Sequence, residues 1–554
     1  MASPNSERKD HSVFVCECDP EMRSACTEEP FYKEKGKRYC ILHFPGEEKA
    51  EQFSAAIKRK LTDKDFNFRG VWFPSGEIFP SFNFSTPAYF SGATFSAGAD
   101  FRETTFGAGA DFTKATFTRT GATFGGKWAD FTEATFSAGA DFTRATFSAG
   151  ADFSRATFSA EADFTKATFS ESALFSGATF SANVDFRATF SADVYFRATT
   201  FGAGAYFSEG TTFSAEADFC FATFAAEAEF SEATFTARAD FSIATFSADA
   251  NFRGATFTRA DFRVATFSER ALFKEATFNE EANFGGATFS AKADFSEATF
   301  SAKADFGQAT FGDYVRFSGI GAGGFLYHST FDLQFATIKT SERVSFHSLT
   351  LRPCWFVNVD ARKFEFSNVE WAKDSLSKGI DELARNSVST PHRLLSIAYR
   401  RLAVNAEENH RYEEASTFRY LSMDARRREE WRGLAFWRLS WLYWVASGYG
   451  EHFKQAAAVL GFIILLFAFS YTQVGFERTQ TKEPSSLQSA PLDTVGVPLS
   501  KGKAFIYSLQ VMTFQKPDPR PLTPAAQLLV TFELILGPVQ AALFVLAVRR
   551  KFIR

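Results

Sequence analysis

Cysteine is scarce in this 554-residue chain and crowded at one end: of 6, four lie before residue 41. No disulfide framework therefore runs through the protein. Histidine is missing from the whole middle, with none between His43 and His328. An excess of one charge is missing too. Lysine and arginine number 60 against 64 aspartates and glutamates, a net charge of −4, which argues against a nucleic-acid binder driven by overall basicity. The first residues, 1–12, are polar and charged and carry no apolar signal-peptide core, which places the bulk of the chain in the cytoplasm. Enzymatic activity is not expected, because the sequence holds no nucleophile–base pair, no phosphate loop and no open metal site.

What is abundant is phenylalanine, 72 in all. It forms a ladder between about Phe84 and Phe317 with steps of five residues, then six, then five again: Phe142, Phe147, Phe153, Phe158, Phe164, Phe169. Alanine or glycine stands two residues before most of them, Asp or Thr just before, and Ser or Thr usually just after. Neither the helical period nor the two-residue alternation of a simple strand fits. A short unit with a small and a large apolar residue two apart fits one flat side of a four-sided coil. Ala and Phe then point inward, while Asp, Thr and the long charged residues point out. Successive coils stack at the strand spacing of about 4.8 Å. The sixth residue is expected to bulge at a corner. Asp100, Asp111, Asp130, Asp141, Asp152 and Asp163 are read as solvating a face and bonding locally to backbone. A catalytic carboxylate pair would be singular, and this motif recurs along the ladder.

Units of the form Ala-Asp-Phe-x-x resemble the pentapeptide-repeat family. The resemblance implies a mainly β fold over residues 83–370, a right-handed quadrilateral β-helix, with an unidentified protein partner as the ligand of its outer faces.

Ahead of the ladder, residues 1–46 contain Cys16, Cys18, Cys26, Cys40 and His43. Cys40 and His43, separated by two residues, can clasp one tetrahedral metal. Cys26 and Cys18 complete a four-ligand set, with Cys16 as the alternative to Cys18. The expectation is a closed structural zinc site, and the other reading is a group of reduced thiols. The stretch resembles small zinc-ribbon-like leaders of some bacterial pentapeptide-repeat proteins. Residues 47–82 follow as a helical cap and entry coil, with Ala50, Phe53, Ile57 and Leu61 on one helical face. Such a cap covers the first open edge of the sheet.

Beyond Trp371 the period becomes helical. Residues 371–430 predict a helical hairpin, similar to a single tetratricopeptide unit. Residues 431–454, where Trp and Arg alternate, predict an amphipathic helix at a membrane interface. The Gly448-Tyr449-Gly450 triplet reads as the turn that ends it. Residues 455–475 carry no charge and suit one bilayer crossing of about 20 residues. A second crossing spans residues 525–548, interrupted by Glu533 and Gly537-Pro538 and ended by Arg549-Arg550-Lys551. The positive-inside rule places both chain ends in the cytoplasm, with residues 476–502 outside. The expected location is the cytoplasmic (inner) membrane, with two crossings. Residues 503–515 are too short to cross and predict an interfacial or re-entrant segment.

This order of crossing, short segment, Pro-rich turn and crossing resembles the two-helix pore module of tetrameric potassium-type channels. The resemblance implies a homo-oligomer in the lipid bilayer, with Thr513, Gln515, Glu533 and Gly537 as pore candidates and Gly537 at the hinge of the inner helix. Glu533 has a second reading, as support for the re-entrant segment. After Thr513 the chain reads Phe514-Gln515-Lys516-Pro517 in place of the family's T-V-G-Y-G, so potassium selectivity has no support. The leading function is ion-channel-like, with a cytoplasmic β-helix as sensor or scaffold. The alternative is a non-conducting, membrane-tethered interaction scaffold.

Overall fold

A computed structural model describes residues 14–27, 30–34, 37–74, 79–96, 99–118, 128–319, 330–372, 376–385, 390–429, 439–477 and 496–552. The chain divides into two compact units, Met1–Lys373 and Asp374–Arg554. Residues 431–438 of the expected interfacial segment and 478–495 of the expected outer linker lie outside the described residues.

The first unit opens with an antiparallel hairpin of β1 (Pro30–Glu34) and β2 (Lys37–Cys40), then a helix α1 (Ala50–Thr62). Phe53 and Ile57 are the buried side chains of α1. Phe53 meets Phe73 edge-on, with ring centroids 5.5 Å apart, and Phe73 stacks on Phe95 of the next coil. The helix thus packs its buried face on the first coil.

From there the chain is a parallel β-solenoid of about 12 turns. Among the described residues a typical turn contains four short strands, alternately an Ala-Asp and a Thr-Phe pair. Ala140 pairs with Ala162, Thr146 with Thr168, Ala151 with Ala173 and Thr157 with Thr179, so the chain returns to the same position after 22 residues. Two five-residue and two six-residue sides make that repeat. The interior follows the expected register, because Ala140, Phe142, Ala145 and Phe147 are all buried while Arg144 and Ser148 are exposed. Phe142 stacks on Phe164 one coil on, at 4.7 Å and 1°, and meets Phe153 edge-on at 5.5 Å and 89°. The edge-to-face contacts across the solenoid are favoured by the ring quadrupole, while the parallel stacks along it follow the strand spacing. Each buried ring contributes roughly 1.5–3 kcal/mol, and alanine two residues earlier leaves room for it.

The alternation of five and six comes from two kinds of corner. After Ala140-Asp141-Phe142 the chain turns tightly. Ala145 N–H donates to Phe142 O at 2.9 Å, and Arg144 takes φ 57°. Asp141 Oδ1 closes the turn by accepting from Thr143 N–H at 2.8 Å. Asp100, Asp111, Asp130, Asp152 and Asp163 each make the same bond two residues on, as the local reading of these carboxylates anticipates. After Thr146-Phe147 the extra residue widens the corner through Ser148, Ala149 and Gly150.

The second unit is helical: α2 (Leu376–Arg385), α3 (Pro391–Glu408), α4 (Tyr412–Glu429), α5 (Leu439–Ser447), α6 (Phe453–Tyr471), α7 (Lys501–Met512) and α8 (Pro524–Phe552). Helices α3 and α4 pack against each other, joined by reciprocal bonds between Ser396 and Ser422. Gly448, Tyr449 and Gly450, all at positive φ, make the turn from α5 into α6. Helices α6 and α8 run antiparallel, since Phe453 at the start of one meets Phe552 at the end of the other. Both are long and apolar enough to cross a membrane. The short α7 packs on them through Ala504, Tyr507, Ser508, Val511 and Met512, three and four residues apart as a helical face requires.

Candidate functional site

The leader gathers Cys16, Cys26, Cys40 and His43, whose ligand atoms all lie within 4.8 Å of one another. Each is delivered by local structure. Strand β2 ends at Cys40, and the turn after it, with His43 and Phe44 N–H both donating to Cys40 O, swings the imidazole back. Asp19 caps the short helical turn Pro20–Ala25, which ends at Cys26. Cys40 Sγ lies 3.1 Å and Cys26 Sγ 3.4 Å from His43 Nδ1. His43 Nε2 is 2.9 Å from Arg69 O. In its neutral form with the proton on Nε2, the ring would donate there and present the Nδ1 lone pair to the cluster, the arrangement that orients a metal-binding histidine.

Of the two alternatives for the fourth position, Cys16 is the one that converges. Its sulfur accepts from Cys40 N–H at 3.3 Å. Cys18 lies outside the converging four, with its sulfur 3.5 Å from that of Cys26. Hydrogen bonds from Cys16 and Cys26 hold the Cys40 thiol far below its ordinary value, while contacts with Cys16 and Cys40 push Cys26 far up. Burial disfavours the His43 cation, but hydrogen bonds with Cys16 and Cys40 outweigh it and raise the imidazole to about 9. Three thiols and an imidazole, all buried but the half-buried Cys26 and within reach of one centre, can hold a metal ion. Metal–sulfur bonds of about 2.3 Å would place tetrahedral sulfurs about 3.8 Å apart. Beside them Lys49 is fully buried, its ammonium donating to Leu42 O at 2.7 Å and lying 4.5 Å from the Phe53 ring centroid. Burial pulls it down to about 7 against the opposing charge of Cys40. Nothing in the Glu47-Glu48-Lys49 stretch distinguishes that lysine from a solvated one.

The pore candidates fall into two groups. Thr513 caps α7, exposed, with its hydroxyl donating to Leu509 O at 2.9 Å. Gln515 is exposed and its N–H donates to Gln510 O at 3.0 Å. Glu533 is fully buried and accepts from the Tyr471 hydroxyl of α6 at 2.5 Å and from the Ser508 hydroxyl of α7. At Gly537, one turn on, the Met512 side chain of α7 lies so close that a Cβ would stand 2.8 Å from it. Glu533 and Gly537 therefore face α7 from one side of α8, and neither Thr513 nor Gln515 joins them. Sequence reasoning missed Tyr471, Ser508 and Gln540. Gln540 Nε2 donates to Ala446 O at 2.6 Å and Ala456 O at 3.0 Å. A polar side chain in an uncharged run was the available signal for Gln540.

On the solenoid one corner departs from the pattern. Phe221, Ile243 and Val264 occupy the left-handed position on three successive coils, at φ 60°, 60° and 57°. Other coils place Glu133, Arg155 or Gly177 there. The three side chains are 47%, 43% and 57% exposed. Bulky and β-branched residues rarely adopt positive φ.

The family model for pentapeptide repeats (9 copies) matches residues 79–124, 120–168, 142–189 and 252–295. No curated protein and no solved structure matches the chain. Its long first unit thus carries pentapeptide repeats folded as a β-solenoid.

Proposed function

We propose that this protein is a membrane-tethered interaction scaffold, anchored by α6 and α8 and presenting one edge of its solenoid to a protein partner in the cytoplasm. The edge formed by Phe221, Ile243 and Val264 carries this reading. Left-handed backbone costs a residue with a side chain roughly 1–2 kcal/mol, and these side chains return no core packing for it. Strain and exposed apolar surface kept together are characteristic of functional sites. Outward-facing Phe462, Leu465 and Phe469 on α6, with Leu528, Ile535 and Val545 on α8, suit lipid rather than water. The basic end of α8 lies beside the start of α6, so the positive-inside rule assigns both to the cytoplasmic side of the inner membrane. The solenoid takes the right-handed quadrilateral form of its repeat family, acts without catalysis of its own, and begins at a structural zinc held by Cys16, Cys26, Cys40 and His43.

Gly substitution separates docking from folding. Ile243→Gly with Val264→Gly relieves the strained corners, so the melting temperature rises, while a photo-crosslinker placed at position 221 in host membranes loses its discrete partner adduct. An adduct that persists unchanged in the double variant overturns the docking edge.

The second reading, a pore subunit of a homo-oligomer, is favoured by α7, a helix too short to cross yet packed on both longer helices. Purified full-length protein in planar bilayers decides between them. Discrete conductance altered by Glu533→Gln supports the pore, and silence across voltages and salts supports the scaffold.

A further inference from the structure

A cavity of about 370 Å³ lies among α3, α4, α5 and the last turns of α8. Four arginines line it, Arg400 of α3, Arg419 and Arg426 of α4, and Arg550 of α8, against two carboxylates, Glu407 and Glu451. The wall therefore carries two more positive charges than negative ones. Both carboxylates are already engaged. Glu407 accepts from Arg419 Nη1 at 3.0 Å. Glu451, itself buried, accepts from Arg550 Nη1 at 3.1 Å and from the Ser416 hydroxyl at 2.7 Å. Arg419 Nη2 is buried with no hydrogen-bond partner among the described residues. Arg400 is exposed on the cavity wall and makes no ion pair among the described residues.

A buried guanidinium donor without an acceptor calls for an explanation, and an unseen anion is one that fits. The forked geometry of arginine matches phosphate oxygens, and an arginine cluster recognises phosphate more strongly than it does simple halides. The cavity is wide enough for a phosphate with its ester substituent. It also adjoins Arg550, at the basic end of the two helices long enough to cross a membrane, and basic pockets at the cytoplasmic ends of such helices receive anionic headgroups. We infer that this cavity binds a phosphate group, carried either by an anionic lipid or by a soluble phosphate compound.

The test uses the full-length protein and two sources of phosphate. In neutral detergent, inorganic pyrophosphate at constant ionic strength raises the melting temperature saturably if the soluble source is right. In vesicles of phosphatidylcholine, added phosphatidylglycerol raises it if the lipid source is right. Arg400→Gln leaves the unliganded melting temperature unchanged and weakens the response about tenfold, the loss expected for one charge-assisted contact. Arg419→Gln weakens it further, and if that variant does not fold, Arg400→Gln alone decides. The soluble arm does not depend on the membrane reading. The inference is overturned if neither source stabilises the protein, if chloride reproduces the effect, or if Arg400→Gln leaves the response intact.

Discussion

Tyr471, the last residue of α6, donates its hydroxyl to Glu533 of α8, and Ser508 of α7 donates to the other oxygen of the same carboxylate. One acidic side chain thus fastens three helices. Between apolar helices such a bond is worth about 0.6–1.7 kcal/mol. Tyr471→Phe should therefore lower the stability of the purified protein by about that amount, read by detergent-denaturation midpoints. Ser508→Ala should cost a similar amount. The pair together should differ from the sum of the two, because both donors meet one acceptor group. Strict additivity would mean that the carboxylate is not the shared element.

Asp141 makes a more local prediction. Its Oδ1 bond to Thr143 N–H closes a tight corner, and an asparagine side chain offers the same acceptor. Asp141→Asn should leave thermal unfolding nearly unchanged, whereas Asp141→Ala should cost about 0.5–1.5 kcal/mol. Asp152 and Asp163 make the same bond at 2.8 and 2.7 Å and should behave alike. If asparagine is as damaging as alanine, the charge rather than the turn explains the repeat.

These corners also show where sequence reading stops. The inward register of Ala and Phe was legible because a small residue two before a large one leaves a single way to fill a narrow tube. The sign of φ at Arg144 was not, because closure of the coil imposes it on whatever residue occupies that place. In the leader, the spacing of Cys40 and His43 was legible as a clasp. The choice of Cys16 over Cys18 was not, since alternate residues of an extended segment point to the same side. Glu533 stood out as the one charge in its apolar run, but its partners lie 62 and 25 residues away, beyond any local pattern.

Acid should loosen the solenoid at Asp261. Burial by itself would raise this carboxyl, but hydrogen bonds from the Arg263 side chain at 2.7 Å, from its backbone N–H, and from Arg238 at 3.0 Å hold it below the ordinary carboxylate range. A folded-state value below the unfolded one gives stability that is present above the unfolded value, about 3.9, and lost as pH falls through the lower folded value. Melting temperature should therefore drop more steeply below about pH 4 in the parent than in Asp261→Asn. Parallel acid profiles for the two would remove Asp261 as a contributor.

Zinc analysis of the Cys/His cluster separates ligand from bystander. Cys16 and Cys18 are both cysteines of the leader, yet only Cys16 belongs to the converging four. Purified full-length protein should contain one zinc per chain by elemental analysis. Cys16→Ser and Cys40→Ser should each abolish it, and Cys18→Ser should retain it. The site is tied to the first coil, since Trp72 N–H donates to Leu42 O at 3.0 Å and His43 bonds to Arg69 O. Chelation should therefore lower the melting temperature and expose the α1 cap to protease, because metal binding energy here is also folding energy. Loss of zinc in Cys18→Ser as complete as in Cys16→Ser would place Cys18 in the ligand set. Retention of zinc in Cys40→Ser would remove the cluster as its binding site, since Cys40 contributes a buried sulfur 3.1 Å from His43 Nδ1.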